Sequence, residues 1–133
     1  MTELTPYLLF DGTCQPAMEF YLHCLGGELS VTTVGASPLA KQIPPHTHHR
    51  VLNAALIAPG FRLLASDWLR PDKRPELGNT VCVYLTNPSR DELKAFYAAL
   101  SENATDLAPL QEMPFGLYGA LTDKFGVRWM FKS

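Results

Sequence analysis

The chain has 133 residues, of which 47% are hydrophobic and 18% are charged, and its formal net charge is −2. These values are typical of one globular domain and exclude a disordered chain. The near-neutral charge, without a basic run, argues against binding to nucleic acid or to an anionic membrane. No apolar run approaches the roughly 20 residues of a membrane span, and the N-terminus lacks the features of a signal peptide. We therefore expect a cytoplasmic protein.

The cysteines do not indicate a disulfide framework. Cys14, Cys24 and Cys82 form no CxxC pair, and an odd number of cysteines in a cytoplasmic chain argues against structural disulfides. Cys24 and Cys82 occupy positions that favour burial. Cys14 stands at the start of a predicted helix, where the helix dipole would lower the pKa of the thiol, so it is a candidate reactive group.

The first half of the chain predicts one helix among four strands. Pro16 is typical of a first helical turn, and Gly26-Gly27 is a typical stop signal. Pro59-Gly60 predicts a hairpin turn. The predicted elements are a strand at 4–10, a helix from about 15 to 25, a strand at 28–34, a loop at 35–48, and strands at 49–58 and 61–67.

The second half repeats this order after a polar, proline-containing connector at about 68–78. The residues Ser89-Arg90-Asp91-Glu92 match a capping box and predict the start of a helix that ends near Ser101. Ala17, Phe20, Tyr21 and Cys24 have the helical spacing that recurs at Leu93, Phe96, Tyr97 and Leu100. The predicted strands of this half lie at 80–86, about 104–111, about 117–123, and 127–132.

The chain therefore predicts a single α+β domain, 1–133, of two βαβββ repeats, at about 1–67 and about 79–133, with mainly antiparallel strands. One helix per repeat covers one face of a four-stranded sheet, so the other face must close against something else. Two such sheets, from one chain or two, would enclose an open cup that holds a ligand. Unpaired sheet edges also favour a homodimer.

Several segments together resemble the vicinal oxygen chelate superfamily, which includes glyoxalases, bleomycin resistance proteins and dioxygenases, and most of all its PhnB-like branch. They are TPYLLFDGTCQPAMEFY at 5–21 with GGEL at 26–29, LLASDW at 63–68, Gly78-Asn79, and PLQEMPFGLYGALTDKFGVRWM at 109–130. The resemblance implies a glyoxalase-like open cup. A methyltransferase name is sometimes given to this branch, but no Gly-rich motif for S-adenosylmethionine follows a strand here.

The resemblance also implies where a metal site would lie. Catalytic members of the superfamily place His, Glu or Gln ligands on inward-facing positions of four strands, which fall here near Pro6, Leu64, Thr80 (or Cys82) and Met130. Proline, leucine and methionine side chains do not bind hard cations. We therefore expect no metal and no cofactor. The His46-Thr47-His48-His49 cluster is a second candidate, but it follows two prolines in a predicted loop, which favours a solvated loop end.

Strand alternation predicts the residues that line the cup, which include Pro6, Leu8, Phe10, Leu64, Cys82 and Arg128. The candidate substrate-binding residues are Arg62, Ser66, Trp68, Thr80, Tyr84, Phe115, Tyr118 and Met130. Gln111 and Glu112 are the catalytic candidates, because a carboxylate beside Phe115 and Tyr118 would have a raised pKa and serve as an acid or base. Trp129 is expected in the core, and Asp123, Gly126 and Gly119 in turns.

These observations favour a PhnB-like protein that binds an unknown small molecule without the usual metal, with or without catalysis. A metal-dependent lyase, isomerase or dioxygenase of the glyoxalase type is one alternative. A non-catalytic, drug-binding protein of the bleomycin-resistance type is the other.

Overall fold

A computed structural model describes all 133 residues. Its elements are β1 (Tyr7–Phe10), α1 (Cys14–Leu25), β2 (Glu28–Thr33), β3 (Val51–Ala58), β4 (Phe61–Asp67), β5 (Val83–Thr86), α2 (Arg90–Leu100), β6 (Thr105–Met113), β7 (Gly116–Thr122) and β8 (Arg128–Lys132). The expected α+β fold, with two βαβββ repeats and one helix in each, is confirmed. Strands β1 and β5 are shorter than predicted and begin at Tyr7 and Val83. The chain divides into two compact units, Met1–Glu76 and Leu77–Ser133.

The first unit is a mixed sheet with the strand order β1-β4-β3-β2. Strand β1 runs parallel to β4, and the other neighbours are antiparallel. Helix α1 packs against β2, β3 and β4. Its buried side chains include Ala17, Met18 and Tyr21, and the apolar side chains of Leu56 and Leu63 are buried in the sheet. The helical spacing seen in the sequence therefore marks the side of α1 that forms the core.

The second unit has the equivalent order, β5-β8-β7-β6, with β5 parallel to β8. Helix α2 buries Leu93 and Leu100 completely, and Trp129 and Phe131 of β8 are buried as well. The expected place of Trp129 in the core is confirmed. The ring centroids of Tyr97 and Phe131 lie 5.0 Å apart in an edge-on arrangement.

Gly119 was expected in a turn, but it lies within β7. A Cβ atom at this position would come within 2.8 Å of Leu110 Cδ2 and 3.1 Å of Tyr97 Cε2. The glycine therefore permits the close approach of Tyr97 to the sheet. Asp123 does hold a turn, since its carboxylate accepts hydrogen bonds from the backbone N–H groups of Phe125 and Val127.

A buried carboxylate fixes the start of α1. Thr13, at the N-cap position, makes no side-chain cap. Instead, Asp67 Oδ1 accepts hydrogen bonds from the backbone N–H groups of Gly12, at 2.9 Å, and Cys14, at 3.0 Å. Its other oxygen accepts from Val51 N at 2.8 Å. The end of β4 is thereby joined to both the helix and the beginning of β3.

The predicted capping box forms in part. Ser89 Oγ accepts a hydrogen bond from the backbone N–H of Glu92 at 3.2 Å, as predicted. The Glu92 carboxylate does not return to the Ser89 backbone but accepts from the side-chain amide of Asn87 at 2.8 Å. Asn87 in turn accepts from Ser89 N. Two side chains, those of Ser89 and Asn87, thus accept from backbone N–H groups at the start of α2, and Glu92 holds Asn87 in place.

The predicted loop at 35–48 contains two short 3-10 helices, Pro38–Lys41 and Pro45–Thr47. The ring nitrogen Nε2 of His48 lies 2.9 Å from the carbonyl oxygen of Ile43, and the His48 carbonyl accepts from Gly35 N. His48 therefore holds the loop in place. No helix in the molecule combines the length and the apolar character that crossing a membrane would require.

Candidate functional site

The strand register of the second sheet separates its two faces. Val83 pairs with Trp129, and Leu85 pairs with Phe131, so these four side chains share the face that α2 covers. Tyr84, which pairs with Met130, projects from the opposite face. Side chains of directly paired residues lie on the same side of a sheet. Helix α2 therefore leaves this second face uncovered, and we call it the open face of the second sheet.

An apolar floor occupies the centre of this open face. Tyr84 on β5 lies opposite Met130 on β8, and Met130 lies opposite Ala120 on β7. Tyr84 is 54% exposed, and Met130 is half-buried. The prediction that Tyr84 and Met130 share one face is confirmed. Thr80, however, lies before the start of β5, and no strand pairing places it on this face.

A polar row crosses the four strands next to the floor. Lys132 on β8 lies opposite Thr86 on β5 and Tyr118 on β7, and Tyr118 lies opposite Gln111 on β6. The four side chains of this polar row make no hydrogen bond or ion pair within the protein. They present an ammonium, a phenol, an amide and a hydroxyl group to whatever lies on the open face.

An aromatic pair includes Tyr118 of the polar row and Phe115 beside it. Phe115, in the turn between β6 and β7, is 54% exposed. Its ring and that of Tyr118 meet edge to face, with their centroids 5.8 Å apart. The structure therefore brings together four of the predicted binding residues, Tyr84, Phe115, Tyr118 and Met130, on or beside the open face.

The second catalytic candidate, Glu112, is not on this face. It pairs with Leu117, a buried residue, and its exposed carboxylate forms an ion pair with Arg90 of α2. The hydrogen bond from Arg90 lowers the pKa of Glu112, and the charges of Arg90 and Lys94 act in the same direction. The expectation of a raised pKa against Phe115 and Tyr118 is therefore wrong, because the pleat carries Glu112 to the other side of the sheet.

Two further side chains lie beside the floor. The Cys82 thiol donates a hydrogen bond to Met130 Sδ, with the two sulfur atoms 3.1 Å apart. Arg128 Nη1 lies 3.3 Å from Asp106 Oδ2 and donates to the Asp106 carbonyl oxygen at 2.6 Å. Asp106 adopts a positive φ of 47° in the bulged part of β6. The guanidinium of Arg128 therefore already has partners within the protein.

The first sheet also leaves one face uncovered by its helix, and its floor matches that of the second sheet. Tyr7 lies opposite Leu64, and Leu64 lies opposite Ala55. A tyrosine, a long aliphatic or thioether side chain and an alanine thus recur in the same order in both repeats. Leu64 was expected on this face and is found there.

Two residues of the first strand were assigned to the wrong face. Leu8 pairs with Ala65, and Phe10 pairs with Asp67, both of which are buried on the side that α1 covers. The error is a shift of one residue in a short strand, which reverses every side chain. Tyr7 and Leu9 lie on the open face, where Leu8 and Phe10 were expected. Pro6, the third residue expected on the open face, lies before the start of β1, and no strand pairing places it on either face.

The remaining predicted residues of the first unit have separate surroundings. Arg62, on the open face of the first sheet, forms an exposed ion pair with Glu3 at 3.2 Å. Ser66 pairs with Leu9 and is buried. The Trp68 indole donates to the carbonyl oxygen of Lys73 at 2.6 Å and therefore holds the connector.

The Cys14 thiol is completely buried at the start of α1. Burial, together with the negative charge of Asp67, raises its pKa to about 12. The expected lowering of this pKa by the helix dipole is therefore wrong, because loss of hydration outweighs the dipole.

The residues that the superfamily resemblance assigns to a metal site do not fit one. Leu64 and Met130 lie on open faces but supply no hard-cation donor, and Pro6, which lies before β1, supplies none either. No group of three or more His, Cys, Asp and Glu side chains is placed to hold a metal ion. His46 and His49 are exposed, while His48 binds Ile43.

Sequence reasoning missed Lys132 and Thr86. The signal was present in β8, where Arg128, Met130 and Lys132 alternate along one face. Lys132 stands at the last position of the strand, where strand assignment from sequence is least certain.

The sequence matches the family described as 3-demethylubiquinone-9 3-methyltransferase over residues 2–131. Protein PA1353 from Pseudomonas aeruginosa is 30% identical, with a TM-score of 0.88, over 99% of this chain and 97% of its own. Protein YjdN from Escherichia coli (strain K12) is 28% identical over 96% of this chain and 92% of its own length.

More distant structures share the fold. A putative 3-demethylubiquinone-9 3-methyltransferase, PhnB protein, from Bacillus cereus has a TM-score of 0.79 at 23% identity, covering 98% of each chain. The bleomycin-binding protein from Streptomyces verticillus has a TM-score of 0.56 at 16% identity, covering 100% of this chain and 98% of its own. The chain therefore belongs to the family described as 3-demethylubiquinone-9 3-methyltransferase, and it shares its fold with a PhnB protein and with a bleomycin-binding protein.

Proposed function

We propose that this chain is a PhnB-like protein that binds a small molecule on the open face of its second sheet. The observation that carries the proposal is the exposed Tyr84 opposite Met130, beside a row of polar groups that have no partner in the protein. An apolar surface with a few convergent polar groups is the usual composition of a small-molecule site. The Tyr84 ring supplies a flat surface on which a planar molecule can stack.

Binding without chemistry is favoured over acid-base catalysis on this face. Glu112, the carboxylate expected to act as acid or base, is paired with Arg90 on the other side of the sheet. The polar row contains no carboxylate and no imidazole, and its groups are suited to holding a ligand by hydrogen bonds and charge. The family description names a methyl transfer, but the sequence lacks a Gly-rich nucleotide-binding motif after a strand.

Drug binding is the second candidate, and the edge-to-face pair of Phe115 and Tyr118 favours it. The distant structural relative from Streptomyces verticillus is a bleomycin-binding protein, in complex with copper(II)-bleomycin. Exposed aromatic side chains give a binding surface for a planar drug without any catalytic group. Saturable binding of such a drug without turnover would support this candidate.

A metal-dependent enzyme of the glyoxalase type is the alternative from another class. It requires three or more donor side chains around an ion, and the donors present do not form such a group. We expect protein purified without a His-tag to carry well below one divalent ion per chain by elemental analysis. One tightly bound ion per chain would support the metal-dependent alternative.

The binding surface is tested by a panel of planar aromatic and aliphatic compounds, first by thermal shift and then by calorimetry. We expect an aromatic compound to bind the wild type, Tyr84→Phe to retain most of the affinity, and Tyr84→Ala to lose it. Val81→Ala is the matched control, because Val81 is also exposed but precedes β5. Failure of every compound to bind, or equal affinity in Tyr84→Ala, would contradict the proposal.

We propose also that the chain forms a homodimer. Exposed apolar side chains of the first sheet, which include Tyr7, Leu9 and Ile57, give a second copy apolar groups to cover. Light scattering after gel filtration should give twice the chain mass of 14.8 kDa. A monomer mass at micromolar concentration would contradict the dimer.

A further inference from the structure

We infer that the polar row formed by Thr86, Lys132, Tyr118 and Gln111 anchors a carboxylate group of the ligand. The inference rests on the proposed function and names the chemical class of the molecule bound there: a planar, apolar body that bears one carboxylate.

The geometry of the polar row lets one small group reach several of its side chains. Lys132 lies directly opposite both Thr86 and Tyr118, and Tyr118 lies directly opposite Gln111. Neighbouring strands are about 4.8 Å apart, so the two oxygens of one carboxylate can accept from adjacent strands at once. The ammonium, phenol, amide and hydroxyl groups are all hydrogen-bond donors.

The charges of the second sheet leave Lys132 uncompensated. The strands of this sheet carry two acidic residues, Asp106 and Glu112. Asp106 pairs with Arg128, and Glu112 pairs with Arg90. Lys132 takes part in none of the ion pairs of the molecule. A cation that shares its face with an apolar floor and has no acidic partner is suited to an anionic ligand.

A single available cation favours a group of charge −1 over a phosphate dianion. Arg128 is the other cation of the open face, and Asp106 already engages it through a carboxylate and a carbonyl oxygen. A dianion would leave one charge without a partner on a surface that excludes part of the water. A carboxylate matches the one free ammonium.

The first repeat supports the assignment by contrast. Its floor of Tyr7, Leu64 and Ala55 repeats the floor of the second sheet. In the first sheet, Ser66 pairs with Leu9, and this pair occupies the position that Lys132 and Thr86 occupy in the second sheet. The floor is thus common to both repeats, whereas a cation at this position occurs in the second repeat alone. The polar row is a feature of this one face and not a requirement of the fold.

The position of the polar row fixes the shape of the ligand. Residues two apart on a strand are about 6.6 Å apart, which separates Met130 from Lys132. The flexible four-carbon stem of Lys132 can bring its ammonium to a carboxylate on an aromatic bicycle that is stacked over Met130. The body of the ligand would stack on Tyr84 and Met130, while Phe115 and Tyr118 would close one side.

A matched pair of probes separates this inference from the proposed function. Calorimetry at low salt compares 2-naphthoate with 2-naphthamide, which has the same size and shape but no charge. We expect the wild type to bind both and to prefer the acid by about tenfold, or about 1.4 kcal/mol. Lys132→Met should abolish the preference and leave the affinity for the amide within about twofold, because it removes the charge and keeps the chain length.

Two control variants test the position of the charge. Lys132→Arg should keep the preference for the acid, since guanidinium also binds carboxylate. Lys41→Met, which removes a surface charge from the first unit, should leave it unchanged. Equal affinity of the wild type for the two probes, or a preference that survives in Lys132→Met, would overturn the carboxylate anchor alone. Failure of both probes to bind at millimolar concentration would overturn the proposed function as well.

Discussion

Gln111 and Glu112, adjacent in β6, project from opposite faces of the second sheet: Gln111 lies opposite Tyr118 and Glu112 lies opposite Leu117. We predict that Gln111→Ala weakens the binding of 2-naphthoate by about three- to tenfold, since it removes a donor from the polar row. Glu112→Gln should leave the affinity unchanged, because its carboxylate contacts Arg90. A loss of affinity in Glu112→Gln comparable to that in Gln111→Ala would contradict this assignment of faces.

The pKa of Glu112 gives a pH prediction. The hydrogen bond from Arg90 lowers this pKa, so the carboxylate stays charged to a lower pH in the folded state than in the unfolded chain. Its contribution to stability is therefore present above the unfolded pKa and is lost as the pH falls through the folded pKa. Because the pair is exposed, we expect only a small effect: a slightly smaller acid-induced loss of stability in Glu112→Gln than in the wild type. An identical pH profile of urea unfolding in the two proteins would contradict the prediction.

The cysteines should differ sharply in reactivity. The Cys14 thiol is buried with a pKa of about 12, and Cys24 is buried as well, whereas Cys82 is half-buried beside Met130. Since the thiolate is the nucleophile, a thiol reagent at pH 8 should label Cys82 first under native conditions. We expect Cys82→Ser to abolish labelling of the native protein. In denaturant, all three thiols of the wild type should react. Rapid native labelling of Cys14 would contradict its burial.

Asp67 should contribute strongly to stability. Its carboxylate accepts hydrogen bonds from three backbone N–H groups, those of Gly12, Cys14 and Val51, in a buried site. Asp67→Asn replaces one acceptor oxygen with a donor group, so at least one N–H loses its partner, and we expect a cost of about 3 kcal/mol in the free energy of unfolding. The free energy of unfolding is measured by urea denaturation, with circular dichroism as the signal.

The control for Asp67 is Asp72→Asn. Asp72 pairs only with Arg70 in the exposed connector, so this substitution should change the stability little. Equal stability of Asp67→Asn and the wild type would show that the carboxylate does not hold α1 to the sheet.

The repeated architecture could be predicted because its signals are local. The helical spacing of Ala17, Phe20 and Tyr21 recurs in α2, and the glycine pair after α1 ends that helix as expected. Strand ends were harder to predict, because they depend on pairing with distant strands. The segment before Val83 has a strand-like composition but forms no ladder with β8.

The faces of the strands were predictable only where the strand itself was correctly placed. Met130 was assigned correctly because the aromatic residues Trp129 and Phe131 flank it and mark the buried face of β8, and Tyr84 pairs with Met130. Leu8 and Phe10 were assigned wrongly because β1 has only four residues and a proline before it, so nothing local fixes its parity. Glu112 was misjudged for a related reason: its partner Arg90 lies on α2, far away in the sequence.

The most direct test of the proposed binding surface is to titrate the protein with 2-naphthoate and to map the changes in its backbone amide NMR chemical shifts. If the open face of the second sheet is the binding surface, the largest saturable shifts will fall at Tyr84, Gln111, Tyr118 and Met130, and they will disappear in Tyr84→Ala. Saturable shift changes confined to the first unit, or to the face that α2 covers, would contradict binding on the open face of the second sheet.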